Sequence, residues 1–115
     1  MTGYDIFKMV CALLGCEGFF ENGDESKSVS FLYILNQILS DLKLPEVGAL
    51  SSVVDLSQKQ KESVVYGCAM LLAGNLNDMA LANTFTQLYN GKRNGILCEN
   101  ATRQDVIPTP SGGGN

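Results

Sequence analysis

Apolar residues return along this chain at steps of three and four, the period that places them on one face of an α-helix. The first stripe is Ile6, Met9, Val10, Leu13 and Leu14. Ahead of it, Thr2 and Asp5 have the spacing of a helix start, with a hydroxyl able to accept from the first turn and an acid near the positive helix end. Gly15 is a natural left-handed stop. A second stripe, Leu32, Leu35, Leu39 and Leu42, widened by Phe31 and Ile38, predicts an amphipathic helix that Ser26 or Ser28 can cap. It must end near Lys43, because Pro45 lacks an amide hydrogen and restricts Leu44 before it.

Residues 46–56 then read as a connector whose Leu50, Val53, Val54 and Leu56 can lie along the helices. Ser57 with Gln60 matches a capping box, so a third helix should begin at about Gln58. Val65, Cys68, Ala69, Leu72 and Leu76, with Val64 and Leu71 beside them, give this helix the broadest apolar coverage and mark it as the central element. Gly67 in its middle is tolerated best where a neighbouring helix comes too close for a side chain. After a short turn Asp78 can cap a fourth helix carrying Leu81, Phe85, Leu88 and Tyr89, which should fray beyond Gly91 or Gly95.

Residues 100–115 change character, because Val106, Ile107, Pro108, Thr109 and Pro110 favour extended backbone and a glycine-rich run follows. The expected fold is therefore all-α: a small four-helix bundle over residues 1–99, with an extended C-terminal arm over residues 100–115. Residues 17–25 form an acidic loop interrupted by Phe19 and Phe20. At least one of these rings should fold back on the core, unless the pair is an exposed anchor for a partner.

Composition narrows the function more by exclusion than by assignment. With 115 residues and 45% hydrophobic content, the chain is one domain's worth. Its apolar runs, such as 9–14 and 68–73, are far shorter than the roughly 20 residues that cross a bilayer, and no basic flank precedes an apolar segment near Met1. A cytoplasmic site of synthesis is expected, with Cys11, Cys16, Cys68 and Cys98 reduced and the first and third of these packed as small hydrophobes. The net charge of -4 disfavours direct binding of nucleic acid, whose affinity comes from neutralised phosphates. It does suit a pore through which DNA must slide.

Histidine is absent from the sequence, which removes the usual general base, the usual partner of a Ser or Cys nucleophile and the commonest metal ligand. The cysteine spacing does not match a zinc knuckle, the acids of residues 17–25 lack the order of a calcium loop, and there is no phosphate-cradling glycine loop. No catalytic, cofactor or metal residues are assigned. Lys92, Arg93 and Arg103 gather near the expected end of the fourth helix. They either complement that helix end or form a patch that pairs with acids of a neighbouring subunit, the acidic loop being a suitable complement.

The order Tyr66, Gly67, Cys68, Ala69, Met70, Leu71, Leu72, Ala73, then Asn77 and Asp78, then Phe85, Leu88, Tyr89, Asn90, Lys92 and Arg93 resembles the closing helical pair of tailed-bacteriophage head-tail connector (adaptor) proteins. Asp105, Val106, Ile107 and Pro108 are similar to the extended arm by which such proteins engage neighbours. The likeness covers roughly the second half of the chain; the first half, with its acidic loop, departs from it. The resemblance implies a homo-oligomeric ring of about a dozen copies, located in the virion neck between the portal protein and the tail or its stopper and terminator proteins. DNA would pass through without being read. Val106 and Ile107 would be the apolar anchors of each arm, beside Asp105; the Phe19, Phe20 pair and the patch with Arg103 are contact candidates from the residues alone. The reading of the residues alone leaves open a cytoplasmic helical adaptor or regulator with a single protein partner.

Overall fold

The computed structural model describes residues 1–16 and 25–105, with side chains over 1–16 and 27–98. It is all-helical: α1 (Gly3–Leu14), α2 (Glu25–Asp41), α3 (Gln58–Asn75) and α4 (Met79–Asp105). Among the described residues there is no strand, only an isolated antiparallel bridge between Thr2 and Val53.

Helix starts follow the local chemistry. At α1, Asp5 N–H donates to Thr2 Oγ1 (3.3 Å) while Thr2 N–H donates to Asp5 Oδ2 (2.8 Å), so two otherwise unpaired amides satisfy each other's side chains. The same reciprocal pair joins Ser57 and Gln60 at α3, at 3.0 and 3.2 Å. Asp78 Oδ1 accepts from Leu81 N–H (3.2 Å) at α4. At α2 the expectation is corrected: the helix begins at Glu25, so Ser26 and Ser28 lie inside its first turn instead of capping it.

Helix ends share one device. Gly15, Lys43 and Asn77 each take a left-handed conformation, with φ of 70°, 62° and 61°. The residue after each sends its N–H back to a carbonyl five positions earlier: Cys16 to Cys11 (2.8 Å), Leu44 to Leu39 (2.8 Å) and Asp78 to Ala73 (2.9 Å). This is the Schellman arrangement, which satisfies carbonyls left open by the last turn. Pro45 follows the second of these ends, where a helix could not have continued.

α3 is the hub, packing against α1, α2 and most extensively α4. Its buried positions, Ser63, Val64, Val65, Gly67, Cys68, Ala69, Leu72 and Ala73, run round most of its circumference, as expected for an element enclosed by neighbours. Phe7 of α1 stacks on Phe31 of α2 with ring centroids 4.4 Å apart, and Tyr66 of α3 lies 6.0 Å from Phe85 of α4. Leu13, Leu76 and Leu88, which the periodicity assigned to buried faces, are instead exposed. Leu76 lies just past the end of α3, and Leu13 and Leu88 fall at the margin of their stripes, where Phe7 and Tyr89 do the packing.

The connector over residues 46–56 lies along the helices in part: Val53, expected to join the apolar side, is 74% exposed. Leu50 and Val54 are buried, Tyr4 N–H donates to Leu50 O (3.1 Å), and Val54 N–H donates to Met1 O (2.8 Å). Gly3 is what permits this approach: a Cβ there would stand 2.9 Å from Leu50 Cα and O. The fit is locked from the other side by Asn36, whose Oδ1 accepts from Val47 N–H and whose Nδ2 donates to Val47 O, both at 2.8 Å.

The end of α4 departs from expectation. The helix passes through Gly91 and Gly95 and takes in residues 100–105, so the boundary drawn after residue 99 falls inside it. A helical glycine costs about 1 kcal/mol relative to alanine, whereas burying an isoleucine side chain contributes roughly 1.5–3 kcal/mol. Ile96, beyond both glycines, is buried in the core and holds that stretch down. The remainder of the predicted arm, residues 106–115, lies outside the described residues.

Candidate functional site

Two consecutive cations of α4 reach in different directions and find acids of their own chain. Arg93 grips the carboxylate of Asp41 at the end of α2 with both faces of its fork, Nε to Oδ2 at 2.7 Å and Nη2 to Oδ1 at 3.2 Å. The Tyr89 hydroxyl, one turn earlier on α4, donates to the same Oδ2 at 2.5 Å. Lys92 donates to Glu62 Oε1 on α3 at 3.0 Å, and Gln58 donates to the second oxygen of Glu62 at 3.4 Å. The acidic partners that the sequence reading sought on a neighbouring subunit are, for Lys92 and Arg93, supplied within the chain. Neither cation serves the end of a helix, since α4 continues for three turns past them.

The electrostatics follow from these contacts. The Arg93 fork, followed by the Tyr89 hydroxyl, holds the Asp41 carboxyl below the ordinary carboxylate range. Burial, followed by the bond to Asp41, pushes the Tyr89 phenol up, and Asp41 raises the Arg93 guanidinium. Burial alone raises the Cys68 thiol strongly, which keeps it protonated and unreactive at neutral pH. The lysine of the Lys92 pair keeps its partner Glu62 below its usual value.

Of the other predicted contact residues, Arg103 and Asp105 fall on the last turn and a half of α4, with their backbone helical. Phe19, Phe20, Val106 and Ile107 lie outside the described residues. What the sequence reading missed is on α2 and between α3 and α4. Val29 and Tyr33 stand one turn apart on α2 with 54% and 75% of their surfaces in solvent, a bare apolar pair on one face. Beside the first two turns of α3 a cleft of about 210 Å³ is lined by Lys59, Ser63, Gly91, Lys92, Gly95 and Ile96.

Among the described residues no three His, Cys, Asp or Glu side chains are grouped to hold a metal ion, and no helix is long and apolar enough to cross a membrane. No protein family, curated protein or solved structure matches the chain.

Proposed function

We propose that the chain is a structural virion protein, a head-tail connector whose copies form a ring between portal and tail and prolong the DNA channel. In this reading the four helices act as a bundle whose work is done by its surface, with residues 106–115 as an arm lent to the next copy. The observation that carries it is the pairing of a filled interior with apolar side chains left outside. Val29 and Tyr33 give α2 a contact face at one side of the molecule, and Val106 and Ile107, which follow α4 in the sequence, would supply the second contact. Two different surfaces on one chain are what a head-to-tail contact needs, and such a contact repeated about an axis closes into a ring.

The sequence order that resembles the closing helical pair of connector proteins supports the same reading, since its Tyr66 faces Phe85 and its Gly67 lies against Tyr89 where α3 and α4 meet. The exposed Val29 and Tyr33 pair also suits the alternative, a cytoplasmic adaptor holding one partner through α2.

Electron microscopy and sedimentation velocity of the chain mixed with its portal protein test the proposal. The full chain should add a ring of density to the portal, truncation after Asp105 should abolish ring formation, and Tyr33→Ser should weaken it. A monodisperse monomer, alone and with portal, that truncation leaves unchanged would overturn the connector reading; a one-to-one complex with another protein through α2 would favour the adaptor.

A further inference from the structure

Gly3 and Gly67 have a packing explanation within the chain that Gly74, Gly91 and Gly95 lack, and of these three only Gly91 and Gly95 line a cleft. A Cβ on Gly67 would meet Tyr89 and Ile38, and one on Gly3 would meet the Leu50 backbone, so packing within the chain demands both. At Gly91 and Gly95, one turn apart on α4, a Cβ would meet nothing within 4 Å. These two poor helix formers therefore open a trough that the fold does not use. The trough is the floor of the cleft lined by Lys59, Ser63, Lys92 and Ile96.

Ser63 supplies the second observation. Its residue surface is fully buried, and its Oγ has no hydrogen-bond partner, the only such side-chain atom among the described residues. A buried hydroxyl is ordinarily satisfied, and here it borders the cleft. The side chains of Lys59 and Lys92 line the same cleft. A hydroxyl and ammonium groups together are donors an oxyanion takes, and the glycines let it approach the α4 backbone.

We propose that this cleft binds a small oxyanion of the phosphate class, with Ser63 Oγ donating to it and Lys92 exchanging its exposed contact with Glu62 for the ligand. The site is independent of the connector reading. Glu62 then acts as a built-in competitor, occupying Lys92 when the cleft is empty of anion.

The test is titration of the isotopically labelled full chain with inorganic phosphate at constant ionic strength, followed by amide NMR shifts. Saturable shifts should centre on Ser63, Gly91 and Gly95. Ser63→Ala should weaken binding by about tenfold or more, the worth of one hydrogen bond to a charged group. The double variant Gly91→Ala, Gly95→Ala fills the trough without clash, so it should keep or raise thermal stability while reducing phosphate binding; that separates loss of the site from loss of the fold. Glu62→Gln should tighten binding by releasing Lys92. Shifts that grow linearly and are reproduced by chloride, binding indifferent to Ser63→Ala, or shifts at the same amides that depend on protein concentration and not on phosphate would each overturn the proposal, the last by making the trough a contact between copies.

Discussion

The ring of Tyr89 lies across the bare backbone of Gly67, so near that a methyl group there would stand 2.8 Å from Cε1. Ile38 closes the same spot from α2, with Cδ1 and Cγ2 each 2.9 Å from that position. The ring cannot easily give way, because its hydroxyl is tied to Asp41 and both it and Ile38 are buried. Three helices thus meet at one missing side chain.

Gly67→Ala therefore sets a favourable helix propensity against overpacking. The gain is about 1 kcal/mol and the strain typically about 1–3 kcal/mol, so a net loss of up to about 2 kcal/mol is expected in the free energy of unfolding from urea titration. An unchanged or raised midpoint would mean that α2 and α4 separate more readily than this contact implies.

The three left-handed helix ends make a graded prediction. Gly15 pays little for its φ, whereas Lys43 and Asn77 carry a Cβ in the same conformation. Lys43→Gly should raise stability by about 0.5–1 kcal/mol, Asn77→Gly by less because asparagine already tolerates this region, and Gly15→Ala should lower it by about 1 kcal/mol. Thermal melts of the three variants would check the order; a destabilised Lys43→Gly would contradict it.

Asn36 holds the residue 44–57 segment by two bonds to the backbone of one residue, Val47, so Asn36→Ala should lose roughly 1–3 kcal/mol in all. Asn36→Asp keeps the acceptor for Val47 N–H but sets a carboxylate oxygen against Val47 O, and should be no better tolerated at neutral pH. Limited proteolysis should cut within residues 44–57 faster in both variants. Equal cutting rates would show the segment to be held by Leu50 and Val54 alone.

Stability should form a plateau with pH that falls at each end. Asp41 has a depressed pKa when folded, so its contribution is present above the unfolded value near 4 and is lost as pH drops through the lower folded value. Asp5, held down chiefly by the Thr2 amide, adds to the same acid limb. Cys68 and Tyr89 have raised values, so their contributions are intact below their unfolded values near 9 and 10 and are lost as pH rises beyond. Tyr89→Phe should lower neutral stability by about 1 kcal/mol and flatten part of the alkaline limb. Urea midpoints across the pH range provide the check; an alkaline limb identical in the variant would show that Tyr89 ionises as freely folded as unfolded.

What could be read from the residues in order was the local grammar. The reciprocal caps at Thr2 with Asp5 and at Ser57 with Gln60, the Asp78 cap and the Gly15 stop all depend on partners within five positions. Gly67 was legible too, because a glycine inside a strong apolar stripe needs a steric reason. The Asp41, Tyr89 and Arg93 cluster joins groups 48 and 52 positions apart, and no spacing rule finds such a pair. Nor did the pattern show that Arg93 is occupied at home, since a basic residue looks the same whether its acid lies within the chain or beyond it. The glycines of α4 look like stops because their local cost is visible, while the anchorage of Ile96 beyond them depends on packing against other elements. The Ser63 hydroxyl was hidden by its chemistry: a serine in a helix's second turn carries no signal of being enclosed.

The position of α3 in chain order has a consequence for biosynthesis. The helix that joins the other three is made third, so α1 and α2 emerge from the ribosome with the stripes around Ile6, Val10, Leu35 and Leu39 still lacking their main cover. Until translation has passed Asn75, the nascent chain can close little beyond the Phe7 and Phe31 stack and the packing of residues 44–57 on α1 and α2. That interval is when chaperones or sister nascent chains have their best access to it, and a slowing of synthesis just before Gln58 would lengthen it.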